Sequence, residues 1–217
     1  MKVFYFFLLV IIFPLTGCDS RQQYTEDEST HENGDLNNSF TEQESAIELT
    51  PEQIYQNEKD KLIGEGWQEQ EVVNGQLPNC YNFKPMISNV NNSLEVFVGS
   101  GTDVVIKVMN YENDNCVRYV FINSSSSYSI KNIPEGKYYL KIGYGKNWIS
   151  KLQSGQCVGK FIRNPIYEKG DDILDFNIQY SANGYNIPSF RLKLDVISSD
   201  ISNSFSSYNI SEDDFNQ

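Results

Sequence analysis

Histidine is almost absent from this chain: His31 is the only one, and it lies in a polar stretch well before the strand-like segments. A folded region without imidazole has no Ser-His-Asp or Cys-His nucleophile and lacks the usual ligand of zinc and haem. Long apolar runs are equally scarce. After residue 15 no segment approaches the roughly 20 apolar residues that a membrane-spanning helix requires. Phosphate-cradle chemistry is missing too, because the glycines flanking Tyr144 are followed by neither a helix pattern nor Lys-Ser/Thr. Positive charge is in deficit, with 17 Lys and Arg against 29 Asp and Glu and a net charge of −12.

That deficit is unevenly spread. Residues 19–60 hold twelve acidic residues against Arg21 and Lys59, a balance of −10; with Lys2 set aside, −3 is left for residues 61–217. Residues 19–50 are dominated by Glu, Asp, Asn, Gln, Ser and Thr, a composition that buries too little apolar surface to offset its ordering entropy. A disordered acidic tether over residues 18–50 is expected. Like charges keep such a segment extended and soluble.

Ahead of it, Met1-Lys2 precedes a nearly apolar run over residues 3–15, closed by Leu15-Thr16-Gly17-Cys18. The pattern is that of a secretory signal over residues 1–17, too short and too interrupted by Pro14 to span a membrane. The tetrapeptide resembles the lipobox of bacterial lipoproteins. That resemblance implies cleavage before Cys18, acylation of this cysteine (palmitate-type chains), and a protein tethered to a membrane of the cell envelope without crossing it. More than one acyl chain makes such anchoring stable, at about 0.8 kcal/mol per buried methylene. The acidic stretch after Cys18 also resembles export signals of surface-displayed lipoproteins of Bacteroidota, which implies the outer membrane; a solvated spacer has the same composition.

Thr50-Pro51-Glu52-Gln53 carries an N-cap, a proline at the first helical position and a capping-box Gln, so a short helix is expected over residues 51–64, stopped by Gly64 and Gly66. Short alternating segments follow: Leu94, Val96 and Val98; Val104, Ile106 and Val108; Val117, Tyr119 and Phe121; Leu174, Phe176 and Ile178; Phe190, Leu192 and Leu194. Ser129 to Ile133 and Lys137 to Ile142 are two more, joined by a Pro134-Glu135-Gly136 turn. In the second, Tyr138, Leu140 and Ile142 face a core while Lys137, Tyr139 and Lys141 face water. The expected fold is mainly β, a single antiparallel β-sandwich over residues 67–200 with a flexible tail over 201–217, or a short helix there beginning at Ser211.

Residues 129–142, Ser-Ile-Lys-Asn-Ile-Pro-Glu-Gly-Lys-Tyr-Tyr-Leu-Lys-Ile, resemble the strand, Pro-Gly turn and Tyr-containing strand of transthyretin-like and carboxypeptidase-regulatory-like β-sandwich domains. The resemblance implies a binding or spacer module without catalysis. Residues 146–170 depart from it as a long excursion.

Residues 131–170 gather seven lysines and Arg163 against Glu135 and Glu168, interleaved with aromatic rings. Tyr139, Lys141, Tyr144, Lys146 and Trp148 are the candidate binding residues, able to hold an anionic glycan or a partner protein through charge and stacking. The competing reading has the lysines covering wet strand faces while the rings close the core. Export disfavours nucleic acid. Asp171, Asp172 and Asp175 could form a carboxylate pair or a calcium site, although EF-hand spacing is absent. With Cys18 assigned to lipid, Cys116–Cys157 is the expected disulfide, pinning the excursion to a strand start; three buried free thiols are the alternative. No cofactor or metal is expected. The functional expectation is a non-catalytic binding module, with a spacer or accessory subunit of an envelope complex, or an enzyme using Asp171 and Asp175, as alternatives.

Overall fold

The computed structural model describes residues 48–197, 200–203 and 206–217. The signal segment, Cys18, His31 and the tether up to residue 47 lie outside the described residues.

Helix α1 (Pro51–Gly64) forms where its caps place it: Thr50 Oγ1 accepts from Gln53 N at 3.3 Å, and Gln53 Oε1 accepts from Thr50 N at 2.9 Å. Among the described residues thirteen strands follow: β1 (Gln68–Glu69), β2 (Ser93–Val98), β3 (Asp103–Asn110), β4 (Cys116–Ile122), β5 (Ser127–Lys131), β6 (Lys137–Gln153), β7 (Gln156–Gly170), β8 (Leu174–Asp175), β9 (Gln179–Ser181), β10 (Gly184–Asn186), β11 (Phe190–Ile197), β12 (Asp200–Asn203) and β13 (Ser207–Asn209). A second helix, α2 (Glu212–Asn216), comes last.

The fold is mainly β and sandwich-like. One sheet runs β13-β7-β6-β3-β4, with β1 and β8 also on β6; the other runs β12-β11-β2-β5; β9 and β10 form a separate hairpin. Pairing is antiparallel except between β2 and β11, which run parallel in register from Leu94 opposite Phe190 to Val98 opposite Leu194. Leu94, Val96, Ile130, Leu192 and Leu194 of the smaller sheet meet Val104, Ile106, Val108, Leu140 and Ile142 of the larger one in a shared buried core. Each such side chain, fully buried, contributes about 1.5–3 kcal/mol.

The Pro134-Glu135-Gly136 corner differs from a simple hairpin turn. It carries the chain from β5 in one sheet to β6 in the other, held by buried Asn92, whose amide bonds Ile133 through both N (2.7 Å) and O (2.8 Å). Arg118, also buried, ties the same end together: its guanidinium donates to carbonyls of Met86, Val117 (2.8 Å), Lys131 (3.3 Å) and Asn132 (2.7 Å).

The outward face of the larger sheet is not wet. Val105, Tyr119, Phe121, Trp148, Phe161 and Tyr167 point there and are covered by residues 70–87 and by α2, whose Phe215 is fully buried among them. Tyr139, expected at the surface, is therefore 5 % exposed. Three further expectations are corrected. The excursion over 146–170 is the continuation of β6 into β7, a long hairpin against whose far end α1 packs Leu62, with Trp67 just beyond the helix. The tail beyond 201 is ordered in its described part, with β13 on the edge of β7 and α2 starting after Ser211, the position expected for a short helix. Cys157 pairs with Cys80, not Cys116; the bridge ties the covering segment to β7 and leaves Cys116 as a free, partly buried thiol.

Candidate functional site

The site-building irregularity lies midway along the β6–β7 hairpin. Between Tyr144, opposite Ile166, and Lys146, opposite Arg163, the register slips. Gly145 is required there: a Cβ would stand 2.4 Å from Phe161 Cβ and 3.0 Å from Arg163 O. Asn147 (φ 57°) and Asn164 (φ 50°) take left-handed backbone, which asparagine tolerates better than other side chains bearing a Cβ. A bulge re-aims side chains, and this one reverses the alternation of β6. Before it, Tyr139 and Lys141 share the outward face while Tyr144 points into the inter-sheet core; after it, Trp148 points outward.

The five candidate binding residues are therefore divided among three places. Tyr144 is 1 % exposed and donates its hydroxyl to buried Glu168 Oε2 at 3.1 Å, so it is no part of an exposed ring patch. Trp148, 3 % exposed, packs edge-on against Phe121 and Phe161. It forms part of the floor of a cleft of about 550 Å³, whose walls are Gln70, Glu71, Asp103, Asn123, Lys146, Asn147 and Arg163. Lys146 Nζ is set in that cleft by Asp103 Oδ1 (2.9 Å) and Ser124 Oγ (2.8 Å). Asp103 Oδ1 also accepts from Ser124 N at 2.9 Å. Arg163 pairs with Glu52 of α1 and lies over the Tyr55 ring at 4.8 Å, so α1 helps to position it.

Tyr139 and Lys141 face a different cleft, of about 420 Å³, with Lys169, Asp114, Tyr208 and Asp214. Tyr139 donates to Asp114 Oδ1 at 2.9 Å, and burial together with that acidic neighbour pushes its hydroxyl up to about 12. Lys141 is lowered from the ordinary lysine value, first by burial and then by Lys169.

The expected acidic cluster is dispersed into turn contacts. Asp172 Oδ2 accepts from Ser206 N at 2.9 Å; Asp175 Oδ1 accepts from Asn177 N (3.0 Å) and Nδ2 (2.7 Å), which holds its carboxyl below the usual range. Among the described residues no three His, Cys, Asp or Glu side chains group as metal ligands.

Sequence reasoning counted Arg163 in the basic patch without singling it out, and it missed Asp103 and Asn123 as site residues. The available signal was Asn147 and Asn164-Pro165, strand-averse residues inside otherwise strand-like segments, which mark a bulge. Comparison of the chain with protein-family models, curated proteins and solved structures finds no match to any of them.

Proposed function

We propose that this chain is an exported lipoprotein, held to a membrane of the bacterial envelope through acylated Cys18, whose β-sandwich recognises a polar saccharide without converting it. The observation that carries the recognition reading is the bulge-built cleft. Amide, carboxylate and cationic side chains converge there over an aromatic floor, the mixture of donors, acceptors and apolar surface that a sugar ring presents in return. Lys146 and Asp103 already neutralise each other, and Arg163 is matched by Glu52, so the cleft suits hydroxyl-rich rather than strongly charged units. The transthyretin-like resemblance of residues 129–142 points the same way, toward a non-catalytic module on a tether.

Two measurements test the two halves separately. Glycan-array and calorimetric binding of residues 18–217 carrying Cys18→Ser is expected to select a saccharide, and Asn147→Gly with Lys146→Met is expected to weaken it about tenfold with the melting temperature held. A parent protein that retains no glycan would replace this reading with the spacer or accessory-subunit one. In cells, Cys18→Ser is expected to move the protein from the membrane to the soluble fraction; a variant that stays with the membrane would remove the anchor assignment.

A further inference from the structure

Lys107, Lys141 and Lys169 stand directly opposite one another across β3, β6 and β7, a row of three ammonium groups on the outward face of one sheet. Like charges placed opposite each other on antiparallel strands repel. Sheets ordinarily relieve this with an intervening carboxylate, yet among the described residues none of the three makes an ion pair. Their partners are weaker. Lys107 Nζ donates to Phe215 O at 2.6 Å, Lys141 Nζ donates to Asp214 O at 2.5 Å, and Lys169 Nζ lies 4.4 Å from the centre of the Tyr139 ring.

Two carboxylates of the same cleft, Asp114 and Asp214, act on Lys141 at longer range, and each is hydrogen-bonded to another side chain. Asp114 Oδ1 accepts from the Tyr139 hydroxyl, and Asp214 Oδ2 accepts from Ser211 Oγ at 2.7 Å in the capping box of α2. Lys107 is closed off beneath α2, whereas Lys141 and Lys169 are only partly buried and both line the 420 Å³ cleft. We propose that this cleft is an oxyanion site, in which Lys141 and Lys169 together hold one sulfate, phosphate or carboxylate group of a ligand. A bound oxyanion between the two ammonium groups turns the cross-strand repulsion into two charge-assisted hydrogen bonds, with the exposed Tyr208 on the rim. The depressed proton affinity of Lys141 comes first from burial and then from Lys169, which Asp214 and Asp114 offset only in part. This site lies on the other side of the β6 bulge from the saccharide cleft and stands whether or not a saccharide binds there.

The test uses residues 18–217 with Cys18→Ser and inorganic sulfate as the probe, replacing chloride at constant ionic strength, with the lysine side chains followed by NMR. The expected result is a saturable movement of the Lys141 and Lys169 signals. Lys169→Gln and Lys141→Gln should each weaken it by about tenfold. Lys169→Gln should also melt at or above the parent temperature without sulfate, since it removes a like-charge pair. A uniform, unsaturable drift of all lysine signals would overturn the site, as would sulfate binding that survives in the double variant. A lowered melting temperature in Lys169→Gln would show the lysine to be a structural tie and would overturn it equally. Repeating the titration with phosphate and acetate separates the three oxyanion classes.

Discussion

Lys107 is the residue whose environment makes the sharpest demand. It is 7 % exposed, lies 5.2 Å from the Tyr119 ring centre and 4.9 Å from that of Phe215, and burial pulls its ammonium down to about 8 from 10.5. In the unfolded chain the same group keeps the ordinary value, so between pH 8 and 10.5 the unfolded state binds more protons and stability rises with pH. Cys116 acts oppositely: burial raises its thiol to about 11 from 9.0, so its contribution falls across pH 9–11. The clean window is pH 8–9, where the parent is expected to gain stability in urea titrations while Lys107→Met stays flat. At pH 7 Lys107→Met should be more stable by about 1–2 kcal/mol, because removing a buried charge outweighs one lost hydrogen bond to Phe215 O. Gly145 makes a steric demand instead. Gly145→Ala should cost about 2–4 kcal/mol in chemical denaturation, because the Cβ has no room beside Phe161 and the bulge cannot shift without dislodging Lys146.

Among the elements, the covering layer on the larger sheet decides how much of this protein is core. Residues 70–87 have little regular structure, yet they supply Val72, Leu77, Tyr81 and Phe83 to the outward apolar cluster and are bound to β7 by Cys80–Cys157, across 77 positions of sequence. Closing a loop of that length stabilises the fold by roughly 4 kcal/mol in the chain-entropy account. Reduction should lower the melting temperature, and limited proteolysis of the reduced protein should cut first within residues 70–87. Phe215→Ala should cost about 3–5 kcal/mol in urea titration, since the ring is fully buried between Tyr119 and Tyr167. Much of this layering was legible in the residues. The capping box set α1, and strict alternation at Leu94, Val96 and Val98 set β2. On β3 and β4 both alternating sets are apolar, the mark of strands covered on two sides, and a one-sided reading overlooked it. The β6–β7 hairpin was hidden because Gly145, Asn147 and Asn164-Pro165 break its pattern in mid-strand. The partner of Cys157 depends on a contact between distant segments, and cysteine spacing does not encode that.

As a whole molecule, the described part is one compact unit beginning near residue 47, so α1 belongs to the folded body rather than to the tether. The chain's charge does not divide at that boundary: residues 1–46 carry −6 of the net −12 and residues 47–217 the other −6. The parallel pairing of β2 with β11 adds a temporal constraint. Its partners lie 96 positions apart, as at Glu95 and Arg191, whose side chains form an ion pair at 2.9 Å. A chain delivered from its amino terminus exposes one long edge of β2 until β11 has arrived, and closing so large a loop is slow. The smaller sheet, and with it the inter-sheet core, cannot be completed on a partly emerged chain. The inter-sheet core is therefore among the last parts of the described fold to close, after the larger sheet's strands β3, β4, β6 and β7 have had the chance to pair.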